Sequence, residues 1–118
     1  MKHLKLDELK VGNYVLHNFC KIKLDGSLFA QYIQNELEKK FYPIDLTTEF
    51  LDRTSFIKYG NNYEFWRNSA FSVELIKGNW EILYMNELMS KRVKYIHELQ
   101  NFYYEVAGEM LWVSQHSI

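Results

Sequence analysis

A single cysteine, Cys20, and a single proline, Pro43, stand in a chain of 118 residues. One cysteine excludes an internal disulfide and any multi-cysteine metal site. The five glycines are scattered through turn-like stretches, so no glycine-rich loop cradles a phosphate. Long apolar runs are missing too. No stretch approaches the roughly 18 apolar residues of a membrane span, and the charged segment Met1–Gly12 lacks the apolar centre of a secretory leader. Nor is there an excess of one charge. A net charge of −1 and a pI near 6.4 leave no overall basic footprint for a phosphate backbone. Two small basic clusters remain, Lys21 with Lys23 and Lys91-Arg92 with Lys94, and such clusters are ordinarily solvated faces. These absences predict a soluble cytoplasmic protein with no membrane partner.

Aromatic residues are plentiful at 17%. They favour strands and bury large areas, so a short chain can build a dense core from them. The length fits one domain over 1–118, with a subdivision between a small barrel-like part at 1–45 and a helix, meander and C-terminal helix at 46–118.

The strongest helical signal is VKYIHELQNFYYEVAG at 93–108. Ile96, Leu99, Phe102, Tyr103 and Val106 recur at steps of three and four and form one apolar face. Glu98, Gln100, Asn101 and Glu105 fall between them as the wet side. Gly108 stands where a left-handed residue ends a helix.

Upstream the pattern is strand-like. Leu4, Leu6 and Leu9 anchor the N-terminus, with LDELK also readable as one helical turn. Val11-Gly12-Asn13 marks a turn, followed by strands over Tyr14–Phe19 and Lys21–Leu24. Asp25-Gly26 then reads as a hairpin turn, with a third strand over Leu28–Ile33. Residues 35–40 read as a loop or a fraying turn, and Phe41–Ile44 is extended, since the residue before a proline is pushed out of the helical region. Thr47 or Thr48 caps a short helix that turns Phe50 and Leu51 inward. Phe56–Tyr59, Tyr63–Arg67, the alternation Phe71, Val73, Leu75 and the alternation Trp80, Ile82, Tyr84 predict four strands. Turn clusters at 60–62, 68–69 and 77–79 separate them. Residues 86–95 admit two readings. Ser90 caps a long helix, or a short strand at Arg92–Tyr95 precedes a helix starting near Ile96. The second is favoured. A last short strand is expected at Met110–Val113.

Strands separated by short turns, with no long helices between them, imply antiparallel pairing. The predicted fold class is therefore α+β: a strand-rich N-terminal half compatible with an SH3-like or OB-like small barrel, a short middle helix, and an antiparallel meander covered by the C-terminal helix.

Three stretches resemble a group of small uncharacterised proteins common in Bacteroidetes genomes and their phages or prophages. LKVGNYVL at 9–16 is similar to the group's L-x-[IV]-G-N-x-V start. PIDLTTEFLDRTSF at 43–56 is similar to its P-I-P-L-T-x-E-x-L-x-x-x-x-F segment, with Asp45 in place of a second proline. VKYIHELQNFYYEVAG is similar to its Y-[VI]-H-[EQ]-L-Q tail. The matches keep the group's order and bracket most of the chain. The resemblance implies a gut-bacterial or mobile-element context and a strand at Arg92–Tyr95. It implies no activity.

No catalytic, cofactor or metal set assembles in the sequence. His97-Glu98 begins like the H-E-x-x-H helix of zinc proteases, but position 101 is asparagine and the second imidazole is missing. His97 is expected to bond a backbone carbonyl near the helix start or to lie on the surface. Cys20 would need a base and an orienting group to act as a nucleophile. His17, three residues away on a strand, is expected on the opposite face. The carboxylates show no pairing beyond chance.

The aromatic set Trp66, Trp80 and Tyr84, with Arg67, is the candidate binding surface. Phe65 and Trp66 must point to opposite faces of one strand. Either a helix or second sheet covers both, or one of them forms a protein hot spot or a base-stacking platform. The expected function is a non-enzymatic interaction protein whose partner is another protein. The alternative is a nucleic-acid-binding module on a small barrel.

Overall fold

Gly12 and Asn13 set the geometry of the N-terminal region. In the computed structural model, which describes residues 3–34, 40–59, 62–65, 68–84 and 89–114, Gly12 adopts φ +99°. A Cβ there would meet the Cε methyl of Met110, the end of an exposed flexible side chain that can move aside, so the demand for glycine comes from the backbone. The chain divides into two compact units. Met1–Asp45 with Tyr95–Met110 forms the first, and Leu46–Lys94 with Leu111–Ile118 forms the second.

In the first unit, β1 (Tyr14–His17) and β2 (Cys20–Lys23) form an antiparallel hairpin. Its two-residue turn is Asn18-Phe19, both left-handed, at φ 51° and 64°. The hairpin turn expected at Asp25-Gly26 is a helix start instead. Asp25 Oδ1 accepts the Leu28 N–H at 2.8 Å and begins α1 (Gly26–Gln34). Aspartate caps helices as readily as it makes turns, and here the cap wins. The strand expected at Leu28–Ile33 is therefore helical. β1 also bridges Tyr42 on its other side, with Leu16 N–H to Tyr42 O at 2.8 Å and the return bond at 2.9 Å. Leu4, Leu9, Val15, Leu24 and Phe41 make the core, with Ile22, Leu28 and Phe29 packed around them.

α3 (Ile96–Ala107) completes this unit. Its N-cap is Tyr95, whose N–H is accepted by Glu98 Oε1 at 2.9 Å. Gly108 ends it at φ 74°, as its position predicts. The helix starts at Ile96, as the favoured reading has it, but the strand before it is Met89–Val93 and not Arg92–Tyr95. Lys94 lies outside any strand, and Tyr95 makes only a single bridge to Asp45 before it caps the helix. By sequence order α3 groups with the meander; by packing it clusters with the N-terminal segment, where it lies against β1. Ile96, Leu99, Phe102 and Tyr103 are buried, as their spacing predicts. Gln100, expected on the wet side, is buried as well.

The second unit begins with α2 (Thr48–Leu51), capped by Thr47 Oγ1 accepting the Phe50 N–H at 3.2 Å. Phe50 and Leu51 are buried. A five-stranded antiparallel sheet follows in meander order: β3 (Phe56–Tyr59), β4 (Asn62–Phe65), β5 (Asn68–Ile76), β6 (Asn79–Tyr84) and β7 (Met89–Val93). Tyr63, Val73 and Ile82 lie directly across one another on the three central strands, and all are buried. Trp80 pairs with Val93 in the same layer. The Tyr63 hydroxyl donates to Asp52 Oδ1 at 3.0 Å. Burial, with this carboxylate second, pushes its pKa up to about 12. The expected strand at Met110–Val113 reduces to a single bridge between Thr54 and Val113.

The class is α+β, with two antiparallel sheets and no closed barrel among the described residues. No described helix is long and apolar enough to cross a membrane.

Candidate interaction site

Of the aromatic surface read from the sequence, Trp80 alone has a side chain among the described residues. Trp66 and Arg67 lie outside the described residues. Trp80 is a core residue, 9% exposed, with its indole N–H donating to Leu46 O at 2.9 Å. Its ring meets Tyr63 edge-on, with centroids 6.5 Å apart. Trp80 therefore offers no exposed face for a partner. Tyr84 ends β6, opposite Phe71 and Met89.

The β1–β2 hairpin tip carries the exposed chemistry instead. Phe19 is 102% exposed, the highest value among the large apolar residues so described. It also holds the left-handed backbone conformation that costs an L-residue roughly 1–2 kcal/mol. Asparagine tolerates that region; a bulky aromatic does so rarely. In two-residue hairpin turns glycine is the usual second residue. The sequence placed Phe19 at the end of a strand. The signal for the turn was Asn18, two residues before the alternation resumes at Cys20.

The turn also corrects the relation between His17 and Cys20. Spacing of three along one strand puts two residues on opposite faces. Across a two-residue turn the same spacing makes them direct cross-strand partners, and His17 faces Cys20 in the register. His17 Nδ1 lies 3.3 Å from Lys40 O, and Asn18 Nδ2 lies 3.4 Å from His17 Nε2. A carbonyl can only accept and an amide nitrogen only donate, so both contacts fit the tautomer protonated at Nδ1. The His17 ring tilts against Phe41 at 5.2 Å. This network fixes the base of the tip. Cys20, Lys21 and Lys40 are exposed around it, and Lys23 is exposed at the other end of β2, opposite Tyr14.

Two further aromatics among the described residues are exposed, Trp112 and, on α3, Tyr104, which has the Lys10 ammonium 5.5 Å from its ring centroid. His97 is neither on the surface nor bonded as expected. It is 4% exposed, and its buried Nδ1 has no partner among the described residues. Burial lowers its pKa below 6.5, partly offset by Glu98 and Glu8. No group of three or more histidine, cysteine or carboxylate side chains among the described residues can hold a metal ion.

Comparisons with protein-family models, with curated proteins and with solved structures found no match for this chain.

Proposed function

We propose that this chain is a non-enzymatic interaction protein that engages another protein through the tip of its β1–β2 hairpin. One observation carries the reading: Phe19 is wholly exposed on a backbone conformation that glycine would hold at lower cost. Burying a phenylalanine side chain is worth about 1.5–3 kcal/mol, which this fold leaves unused and a partner's pocket can supply. The resemblance of the three sequence stretches supports a setting in a gut bacterium or its mobile element, and the lone Cys20 supports a cytoplasmic one.

The test is affinity capture from a Bacteroidetes lysate, with the full chain and its Phe19→Gly variant as baits. A specific protein held by the first and lost by the second supports the reading. Recovery of no specific macromolecule under several conditions contradicts it.

A second reading has its own support. Lys21 is exposed two residues after Phe19, and the exposed Lys40 lies at His17 beneath the tip. An exposed ring with cations nearby suits a stacked base with its phosphates. A two-stranded hairpin presents these groups without the small barrel that this alternative first assumed. Binding to single-stranded and duplex oligonucleotides at low and moderate salt decides the point. Absence of affinity at low salt, where attraction to phosphate is strongest, removes it.

A further inference from the structure

His97 occupies the second position of α3, after the N-cap Tyr95 and Ile96. Its ring stacks on Tyr95, with centroids 5.9 Å apart and planes 13° apart. Its Nδ1 is buried without a partner among the described residues. The surrounding backbone is held in place. Ile96 N–H donates to Ile44 O at 2.9 Å, and one turn later Gln100 binds Gly12 and Tyr14.

A second proton on this ring would place a cation in a buried site, with a donor at Nδ1 and no acceptor for it. The partial positive charge at a helix N-terminus opposes the cation further. The titratable groups acting on the ring are Glu98 on the same turn, Glu8 on the 3-10 turn Leu6–Glu8, and the stacked phenol of Tyr95. Both carboxylates favour the cation. Desolvation outweighs them, and the folded pKa lies below the ordinary 6.5.

We propose that His97 is an acid-sensitive latch, whose protonation frees the first turns of α3 from their seat on β1. The sign follows from linkage. Above 6.5 the ring is neutral whether α3 is seated or released, and the seat is at full strength. As pH falls below 6.5 the released state takes up the proton first, so seating weakens until the folded pKa is reached. Only one proton is involved, so the loss is bounded at about tenfold per pH unit.

The experiment follows the histidine ring protons of the full chain by NMR, together with amide exchange corrected for intrinsic rates, between about pH 7.5 and about pH 5. His97 is expected to titrate below 6.5. Protection of the Leu99 and Gln100 amides is expected to fall by up to about tenfold per pH unit in that window, while Val73 and Ile82 hold theirs. In His97→Gln the pH dependence of Leu99 and Gln100 should flatten. If that variant does not fold, the titration of the natural chain decides alone. Titration of His97 at or above 6.5, unchanged protection while it titrates, or parallel loss at Val73 and Ile82 would each overturn the latch.

Discussion

Gln100 accepts the backbone N–H of Tyr14 at 2.9 Å through its Oε1. Its Nε2 donates to the carbonyl of Gly12, also at 2.9 Å. One side-chain amide thus satisfies two backbone groups that flank Asn13, as a neighbouring strand would. Asn13 and Asn101 repeat the junction beside it, with Asn13 Nδ2 donating to Asn101 Oδ1 at 2.8 Å.

Gln100→Ala should therefore be costly, although helical periodicity alone places this residue on the wet side. Each backbone group left buried without a partner costs about 1–3 kcal/mol, against a total stability of about 5–15 kcal/mol. Thermal melts will show it. Gln100→Glu keeps the acceptor for Tyr14 but loses the donor to Gly12, so it should not rescue stability. A change within about 0.5 kcal/mol for Gln100→Ala would mean that the clamp is idle.

Leu99 and Glu105 make the contrasting pair on the same helix. Leu99 is fully buried and Glu105 is exposed. Leu99→Ala should cost roughly 2–5 kcal/mol through lost burial and the cavity left behind. Glu105→Ala should stay within about 0.5 kcal/mol. Urea unfolding of both variants separates the two values.

The strain at the hairpin tip predicts a stabilising change. Phe19→Gly should raise stability by about 0.5–1 kcal/mol, because relief of the left-handed conformation exceeds the added chain entropy of glycine. Phe19→Val should lower it, since a β-branched side chain fits that region worst. A less stable Phe19→Gly variant would show that the ring contributes to folding and is not held out for a partner.

On the second unit, Glu74 and Glu81 stand directly opposite on neighbouring strands. Glu81 meets Arg92 at 3.5 Å, which offsets part of the repulsion. Like charges in this position are unfavourable by about 0.2–1 kcal/mol. Glu74→Lys should gain that amount in thermal melts, and the gain should shrink at high salt. An equal gain at high salt would point to packing, not charge.

Much of the fold was legible because periodicity reports burial. Alternation marked Tyr14 to His17, Val73 and Ile82, and steps of three and four marked Ile96, Leu99 and Phe102. Thr47 and Gly108 announced helix ends through their chemistry. The failures share a cause: a side chain that serves two structures equally well. Asp25 suits a turn or a cap, and only the helix after it decides. Asn18 stands inside an apparent alternation, so the turn that exposes Phe19 was hidden, and with it the pairing of His17 with Cys20. Gln100 is polar, and nothing local shows that Gly12 and Tyr14, far away in sequence, need its amide. Trp80 read as a surface candidate because its partner, the carbonyl of Leu46, belongs to the backbone and leaves no mark in the sequence.

The three stretches that carry the sequence resemblance meet in the structure. Gly12 and Asn13 bond Gln100 and Asn101, and Ile44 O accepts the Ile96 N–H beside the Asp45–Tyr95 bridge. Gly12, Asn13, Ile44 and Asp45 thus hold the first turns of α3, whereas Leu46–Phe56 of the second stretch belongs to the other unit.

The most direct measurement is site-specific photo-crosslinking of the full chain in a bacterial lysate, with a benzophenone side chain at position 19 and, as the control, at the exposed position 57 on β3. Contact through the hairpin tip predicts one dominant protein adduct from position 19 and none from position 57. Adducts of equal yield from both positions, or none from position 19 while the partner is still captured, would contradict it.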